Sequence, residues 1–301
     1  MQPPPTTPPA TPSTTPSTTP STTRRIVSLS ELRRMMAHGV SPVPAQTSAH
    51  ASAQGSAQGS AQAEFFTLGL AAIDGTLGKG ILRGALHEIL PASTDREDAA
   101  LPAAFAALMA ARAATPATRA VLWCGSGRDL YPDALEGFGL DPAFLIIAEA
   151  RRSDHILAAM EEGLKAGALA AVIGEVPGLD LTASRRLQLA AAKSATPAFV
   201  IHRAPVAARG DAGTTSAAWS RWQVLPAASA SPDVALRPSL CVGAARWRLV
   251  LLRCRAAPVS GSGPVEWCVE IADATRPFRL SAELAAGLRE DPPAAQHHAG
   301  R

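Results

Sequence analysis

Aromatic side chains are scarce in this chain, which has seven Phe, five Trp and one Tyr among 301 residues. Cysteine is scarcer, and its four residues, at positions 124, 241, 254 and 268, form no C-x-x-C pair of the kind that zinc sites use. No run of 18 uncharged apolar residues is present, which argues against a membrane-spanning helix. The first residues lack the apolar segment of a secretory signal. These absences favour a soluble cytoplasmic protein without a metal site or a disulfide framework.

Positive and negative charges nearly balance each other: the chain has 28 basic and 25 acidic residues and a formal net charge of +3. From Arg203 onward the chain carries 12 Arg and no Lys against 8 acidic residues, a local excess of +4. Such an excess is typical of an ordinary solvated surface, and it also suits contact with an acidic partner such as DNA. The sequence is 47% hydrophobic, which is enough for a sizeable core.

The two ends and one internal stretch have the composition of unfolded chain. Residues 1–24 are rich in Pro, Thr and Ser, and residues 285–301 also lack a hydrophobic pattern, so both are predicted to be disordered. Residues 41–63 contain SAQGSAQGSAQ, which is typical of a flexible linker. Between them, residues 25–40 predict a short helix that begins with a capping box, Ser28 to Glu31. So short a helix is marginal alone and should dock, either on its own domain or on a partner.

Residues 64–225 alternate between apolar segments of strand length and segments of helix length. The predicted strands are 84–90, 119–124, 144–148, 169–175 and 199–202, and the predicted helices are 98–114, 129–139, 153–165 and 182–194. Asp129, Ser153 and Thr182 are the predicted N-caps, and Pro102 suits only the first turn of its helix. This alternation is typical of an α/β fold whose mainly parallel sheet is covered on both faces.

The region 226–284 follows a different pattern. Residues 246–255 and 265–272 alternate as antiparallel strands, joined by a Gly- and Ser-rich loop. We predict a C-terminal β-hairpin appended to the core.

The connection after the strand 84–90 contains no glycine. In nucleotide-binding α/β domains this position holds G-x-x-x-x-G-K-[ST], whose backbone N–H groups and Lys hold the phosphates. Here residues 90–97 read LPASTDRE, so that Pro91 lies in the turn, Asp95 replaces the second glycine, Arg96 the lysine and Glu97 the hydroxyl residue. The two carboxylates would repel a triphosphate. The sequence therefore predicts a degenerate nucleotide site.

The segment 66–89, FTLGLAAIDGTLGKGILRGALHEI, resembles the stretch that leads into the phosphate loop of RecA-type recombinases. The segments 130–141, 156–176 and 182–203 follow in the same order. The runs RGALHEI (83–89) and RWRLVLLRCR (246–255) are similar to the ImuA family, the RecA-like proteins of bacterial SOS mutagenesis cassettes. Members of that family are also labelled SulA-like cell division inhibitors. The resemblance implies a three-layer RecA-like core of the P-loop NTPase type.

Two further positions depart from an active recombinase when the resemblance is carried over. The catalytic carboxylate falls at Ser126, and a neutral hydroxyl cannot polarise an attacking water as a carboxylate would. The metal-linked Asp falls at Glu175, which could hold Mg²⁺ but would have no triphosphate to bridge. We therefore expect a pseudo-ATPase with no catalytic residue and no cofactor.

The resemblance also implies partners in translesion synthesis after DNA damage. These are an ImuB-like relative of Y-family polymerases, an error-prone polymerase III α subunit reached indirectly, RecA and DNA. Self-association and a nucleoid-associated position in the cytoplasm are compatible with it, and a membrane partner is not expected. A cell division inhibitor and an atypical DNA-dependent ATPase using Arg96 and Glu175 are the alternatives.

Arginines are the candidate partner or DNA contacts, because their planar guanidinium groups suit phosphate. The candidates are Arg151, Arg152, Arg246, Arg248, Arg253 and Arg255. The ordinary alternative is that these arginines lie on helix surfaces and strand edges. His87 is expected to be a packed strand residue, and His155 and His202 are assigned no catalysis because no acid and nucleophile accompany them.

Overall fold

The computed structural model describes residues 25–37, 64–93, 96–126, 129–203, 215–229, 244–256, 264–271 and 279–280. The strands are β1 Arg25–Val27, β2 Phe65–Phe66, β3 Ile81–Leu82, β4 Leu86–Pro91, β5 Val121–Gly125, β6 Leu145–Glu149, β7 Ala171–Val176, β8 Ala198–His202, β9 Ser220–Ala227, β10 Arg246–Cys254, β11 Val265–Glu270 and β12 Arg279–Leu280. The α-helices are α1 Leu29–Ala37, α2 Ala71–Thr76, α3 Arg96–Ala113, α4 Ser153–Ala166 and α5 Leu181–Ser194, and 3₁₀ helices span Pro132–Phe138 and Pro142–Phe144. Within these residues no helix has the length and hydrophobicity needed to cross a bilayer.

Ten strands form one sheet in the order β1-β6-β5-β7-β8-β4-β9-β10-β11-β12, while β2 and β3 pair separately. Every neighbouring pair from β1 to β9 is parallel, and the pairs from β9 to β12 are antiparallel. In the central strand β4, Glu88 is in register with Val200 of β8 and Arg221 of β9. The prediction of an α/β fold with a mainly parallel sheet is confirmed.

Helices cover both faces of the sheet, and each face has its own hydrophobic cluster. One cluster joins α3 to the side chains of Ile89, Trp123 and Trp222. The other joins α1, α4 and α5 to Leu86 and Val200, among others. The alternation of side chains along a strand explains the division, since Leu86 and Ile89 in β4 point to opposite faces.

The segment from Arg25 to Ala37 belongs to the core, ahead of the start of the folded region predicted at residue 64. β1 pairs in parallel with β6 at the edge of the sheet. Ser28 accepts a hydrogen bond from the Glu31 N–H at 3.3 Å, as the capping box predicts. Leu32 and Met35 are buried in the cluster that contains α4. Of the two docking alternatives, the structure therefore shows the helix on its own domain.

The observed N-cap positions differ from the predicted ones by one or two residues. The segment after Asp129 is a 3₁₀ helix whose N-cap position is Tyr131, and Arg152 rather than Ser153 holds that position in α4. Asp180, not Thr182, caps α5, because its carboxylate accepts a hydrogen bond from the Ala183 N–H at 2.7 Å. A carboxylate accepts at this position more readily than the hydroxyl two residues later.

Two further predictions about element boundaries were wrong. Helix α3 begins at Arg96, which places Pro102 beyond the first turn and inside the helix. The predicted antiparallel hairpin is present as β10 and β11, but it is part of the main sheet, since β9, for which no strand was predicted, joins β10 to β4. β9 also crosses the predicted boundary between residues 225 and 226.

The segment that precedes β4 is held by one carboxylate and one glycine. Asp74 accepts hydrogen bonds from the backbone N–H groups of Leu68, Gly69 and Leu70 at 2.8–3.1 Å. Gly80 has a φ of +98°, and a Cβ at this position would lie 2.4 Å from the Phe66 carbonyl oxygen. Glycine is required there both by the left-handed backbone and by the close contact.

Candidate functional site at the carboxyl edge of the sheet

Glu175 lies near the carboxyl end of β7, where ligands of parallel α/β sheets commonly bind. Its side chain is buried, and both of its carboxylate oxygens are engaged. Oε1 accepts a hydrogen bond from the Trp123 indole N–H at 2.6 Å, and Oε2 accepts one from Arg203 Nε at 2.8 Å. A second guanidinium nitrogen of Arg203 contacts the same oxygen. The carboxylate is therefore neutralised by a residue of its own chain.

The backbone positions these three residues. Trp123 is the third residue of β5, the strand next to β7. Arg203 directly follows β8, and its N–H donates to the Val176 carbonyl at 2.9 Å. That bond extends the β7–β8 ladder by one residue and places the guanidinium beside Glu175.

The predicted nucleotide site is only partly assembled. Pro91 is still part of β4, and Leu90 and Pro91 pair with Gln223 and Val224 of β9. Ser126 directly follows β5 and is exposed. Arg96 and Glu97 begin α3, but the structure describes only their backbone, and Asp95 lies outside the described residues.

A Mg²⁺–triphosphate does not fit these residues. Strand β4 takes up the first two positions of the eight that a phosphate loop needs, and only residues 92–95 separate it from α3. The Glu175 oxygens already accept from Trp123 and Arg203, which leaves Mg²⁺ to compete with a positive charge for the same oxygen. Among the residues that the structure describes, no group of three or more His, Cys, Asp and Glu side chains could hold a metal.

A cavity of about 740 Å³ opens beside this ion pair. Its walls come from α3, the 3₁₀ helix Pro132–Phe138 and the strands β10 and β11 with their flanking residues. Most of the lining is apolar, and the polar side chains on it are Asp129, Tyr131, Glu175 and Arg203. Its size falls in the range of small-ligand pockets and of sockets for protein side chains.

Comparison with known proteins identifies the family. Protein ImuA of Caulobacter vibrioides, strain NA1000 / CB15N, is 35% identical over 229 residues, which cover 73% of this chain and 89% of the relative. Protein ImuA of strain ATCC 19089 / CIP 103742 / CB 15 matches to the same extent. The chain belongs to the ImuA family. No family model matches the chain.

This member of the ImuA family has a second buried carboxylate, Glu88, in β4. Its Oε2 lies 2.8 Å from an Arg221 guanidinium nitrogen and 3.2 Å from His202 Nε2, and its Oε1 accepts a hydrogen bond from the Ser216 hydroxyl. Burial by itself would raise the pKa of Glu88. The hydrogen bond and charge of His202, the charge of Arg221 and the Ser216 hydroxyl outweigh burial and lower this pKa to about 2.

His87 is packed in β4, as predicted. Its Nε2–H donates to the Leu82 carbonyl at 2.9 Å, and its Nδ1 accepts from the Ser220 hydroxyl at 2.8 Å. The Ser220 oxygen accepts in turn from the Trp222 indole N–H at 2.9 Å. Burial lowers the pKa of His87 to about 4, with the Leu82 carbonyl opposing the shift. His87 is therefore a neutral structural residue.

Two of the candidate arginines donate to backbone carbonyls of their own chain. Arg253 donates to the carbonyls of Ser216 and Ala218 at 2.7 and 2.8 Å, and Arg255 donates to that of Ala217 at 2.7 Å. These bonds hold the segment that precedes β9. The guanidinium groups of Arg253 and Arg255 thus have internal partners.

The other candidates pair with acidic side chains or are exposed. Arg246 and Arg248 pair across β10 and β11 with Glu270 and Glu266, each at 3.2 Å. The Arg248 side chain remains 48% exposed, and Arg246 is largely buried. Arg151 is exposed, and Arg152 pairs with Asp154 at the start of α4.

Sequence reasoning missed Arg203 and Arg221 as partners of the buried carboxylates. Each is a single charged residue at the end of, or within, an apolar segment. The sequence does indicate a strand around Arg221, because the buried positions Ser220, Trp222 and Val224 are separated by single residues, as in a half-buried strand. No pattern in the sequence connects Arg203 with Glu175, which lies 28 residues earlier.

Proposed function

We propose that this chain is a non-catalytic, RecA-like scaffold of DNA-damage-induced translesion synthesis. Membership of the ImuA family supports the biological setting, since the resemblance links that family to SOS mutagenesis cassettes. The observation that carries the non-catalytic role is the ion pair between Glu175 and Arg203. It occupies the carboxylate that the resemblance places at the metal, while a neutral Ser126 stands at the catalytic carboxylate.

The partners follow from the same resemblance. An ImuB-type polymerase relative is the proposed direct partner, and an error-prone polymerase III α subunit is reached through it. RecA and DNA are further proposed contacts. The continuous sheet supports a scaffold role, because β1 and the C-terminal strands are tied to one core and would hold attached partners in a fixed relation.

Nucleotide turnover is the first test. The full-length protein and three variants would be assayed for ATP binding and for Mg²⁺-dependent hydrolysis. The variants are Arg203→Ala, the triple change Asp95→Gly, Arg96→Lys and Glu97→Thr, and the combination of all four. We expect no hydrolysis above background in any of them, because Ser126 still lacks a carboxylate. Hydrolysis by the wild-type protein that is lost on Glu175→Gln would refute the proposal.

Partner binding is the second test. Deleting the C-terminal strands would remove part of the main sheet, so single surface changes are the sharper probes. Arg248→Glu and Arg152→Glu each reverse one exposed charge. Arg248 lies in β10 and Arg152 follows β6, towards opposite edges of the sheet, so each variant serves as the control for the other. The wild-type chain should co-purify with an ImuB-type protein. Loss of binding in one variant alone would locate the interface, and no binding by the wild type would contradict the scaffold role.

A further inference from the structure

We propose that the 740 Å³ cavity receives a large apolar side chain from a partner protein, carried on a segment that also bears a basic side chain. This inference deepens the proposed scaffold function by naming the chemistry of one docking segment, and it rests on that function. The cavity adjoins the Glu175–Arg203 ion pair and the part of α3 that follows the degenerate phosphate loop.

The cavity walls are built to accept apolar volume. Helix α3 contributes three alanines and Leu101 to the cavity lining, and it carries no charged residue from Ala99 to Ala111. Opposite these small side chains stand Phe138 and Trp247, whose rings lie 5.6 Å apart and tilted by 32°. Apolar walls of this kind bind a side chain by removing its surface from water.

The mouth of the cavity favours a cation. Glu175 is neutralised by Arg203, so the remaining charge on the lining is that of Asp129. Among the residues that the structure describes, no cationic side chain pairs with Asp129. Tyr131 is 64% exposed at the same place and offers an aromatic face to a Lys or Arg side chain. A phosphate-bearing ligand would instead meet the negative charge of Asp129, which disfavours nucleotides and nucleic acid.

Peptide binding tests the inference directly. The probes are three acetylated and amidated peptides, Lys-Lys-Trp-Leu-Leu-Lys-Lys, Glu-Glu-Trp-Leu-Leu-Glu-Glu and Lys-Lys-Ser-Ser-Ser-Lys-Lys, with an oligothymidylate as the phosphate-bearing probe. Binding to the full-length chain would be measured by titration calorimetry. We expect the first peptide to bind at least about tenfold more tightly than each of the other peptides. The oligothymidylate should not compete for the site.

Matched variants locate the binding. Ala134 is exposed on the cavity lining, so Ala134→Trp should fill the mouth and weaken the first peptide at least about tenfold. Ala143 is also exposed, on the next 3₁₀ helix and away from the cavity, so Ala143→Trp should leave the affinity unchanged. Asp129→Lys should reverse the preference between the Lys and Glu peptides.

Several results would overturn the inference. They are no binding of the first peptide at about millimolar concentration, equal binding of all three peptides, competition by the oligothymidylate, or an affinity that Ala134→Trp leaves unchanged. The assay contains neither ATP nor a polymerase partner. If the peptides fail to bind but the chain still co-purifies with its partner, only the inference about the docking segment is refuted. If the peptides bind but the chain does not co-purify with a partner, the scaffold role in translesion synthesis is refuted and the inference about the cavity stands.

Discussion

Acid should destabilise this protein over a pH range that the pKa of one buried histidine, His87, sets. The His87 ring is fully buried, and burial lowers its pKa from 6.5 to about 4. In the folded state Nδ1 accepts from the Ser220 hydroxyl, whose oxygen already accepts from Trp222. Protonating Nδ1 would therefore place two donors face to face, or force the Ser220 hydroxyl to turn away from the ring.

The direction of the effect follows from proton linkage. Below pH 6.5 the unfolded chain binds a proton at this histidine and the folded chain does not, so the free energy of unfolding falls as the pH falls from 6.5 towards 4. A pKa lowered by this amount corresponds to about 3 kcal/mol over the whole window. Between pH 7 and pH 5 the expected loss is about 2 kcal/mol.

Urea denaturation followed by tryptophan fluorescence would measure the loss, with the His87→Gln variant as the reference. Glutamine does not titrate, so the wild type should lose about 2 kcal/mol more than the variant between pH 7 and pH 5. His155→Gln, which changes an exposed histidine at the start of α4, serves as the control for a His-to-Gln change outside the core. Identical pH dependence of wild type and His87→Gln would refute the account of His87 as a neutral buried residue.

Three further changes test other parts of the core. Glu88→Gln removes a carboxylate whose pKa is lowered to about 2, and the stabilisation that this carboxylate contributes is present above pH 4.5 and lost towards pH 2. The variant should therefore lose about 3 kcal/mol of unfolding free energy at neutral pH. In urea titrations at acid pH, its stability should fall less steeply with pH than that of the wild type. Gly80→Ala forces a Cβ against the Phe66 carbonyl at positive φ, and a loss of about 1–3 kcal/mol should lower the melting temperature by calorimetry; an unchanged melt would show that the turn is not restrained. Leu32→Ala should cost about 2–3 kcal/mol if α1 is part of the core, whereas Arg34→Ala, on the exposed side of that helix, should cost under about 0.5 kcal/mol, and equal losses would contradict the docking of α1.

The alternation of strands and helices could be predicted from the sequence because burial requires apolar residues in the strands. Strands such as Ala171–Val176 and Ala198–His202 are covered on both faces, so nearly every residue in them is apolar and the segment stands out. The start of α5 was predicted less accurately, because threonine caps a helix no better than an aspartate two residues earlier. Asp180 illustrates this, since it takes the position that Thr182 was predicted to hold.

The edges of the sheet and the candidate site were harder to predict for a different reason. β1 has three residues, too few to show any period, and its place depends on pairing with β6 more than 100 positions later. The ion pair of Glu175 with Arg203 depends on the parallel register of β7 with β8. The cavity depends on α3 meeting strands from the far end of the chain. Such contacts are set by tertiary packing and leave no local pattern.

The two buried carboxylates show how this α/β sheet accommodates acidic side chains in its interior. Glu88 and Glu175 point to opposite faces of the sheet, and each is paired with an arginine from another strand or its end, Arg221 and Arg203. An unpaired buried carboxylate would be costly, and the chain supplies a positive charge to each of the two from its own residues. Arg203 supplies that charge to Glu175 from the end of β8, and Arg221 supplies it to Glu88 from β9. The pairing favours a rigid sheet over ligand binding, because releasing either carboxylate to a ligand would leave a partly buried arginine without its carboxylate partner.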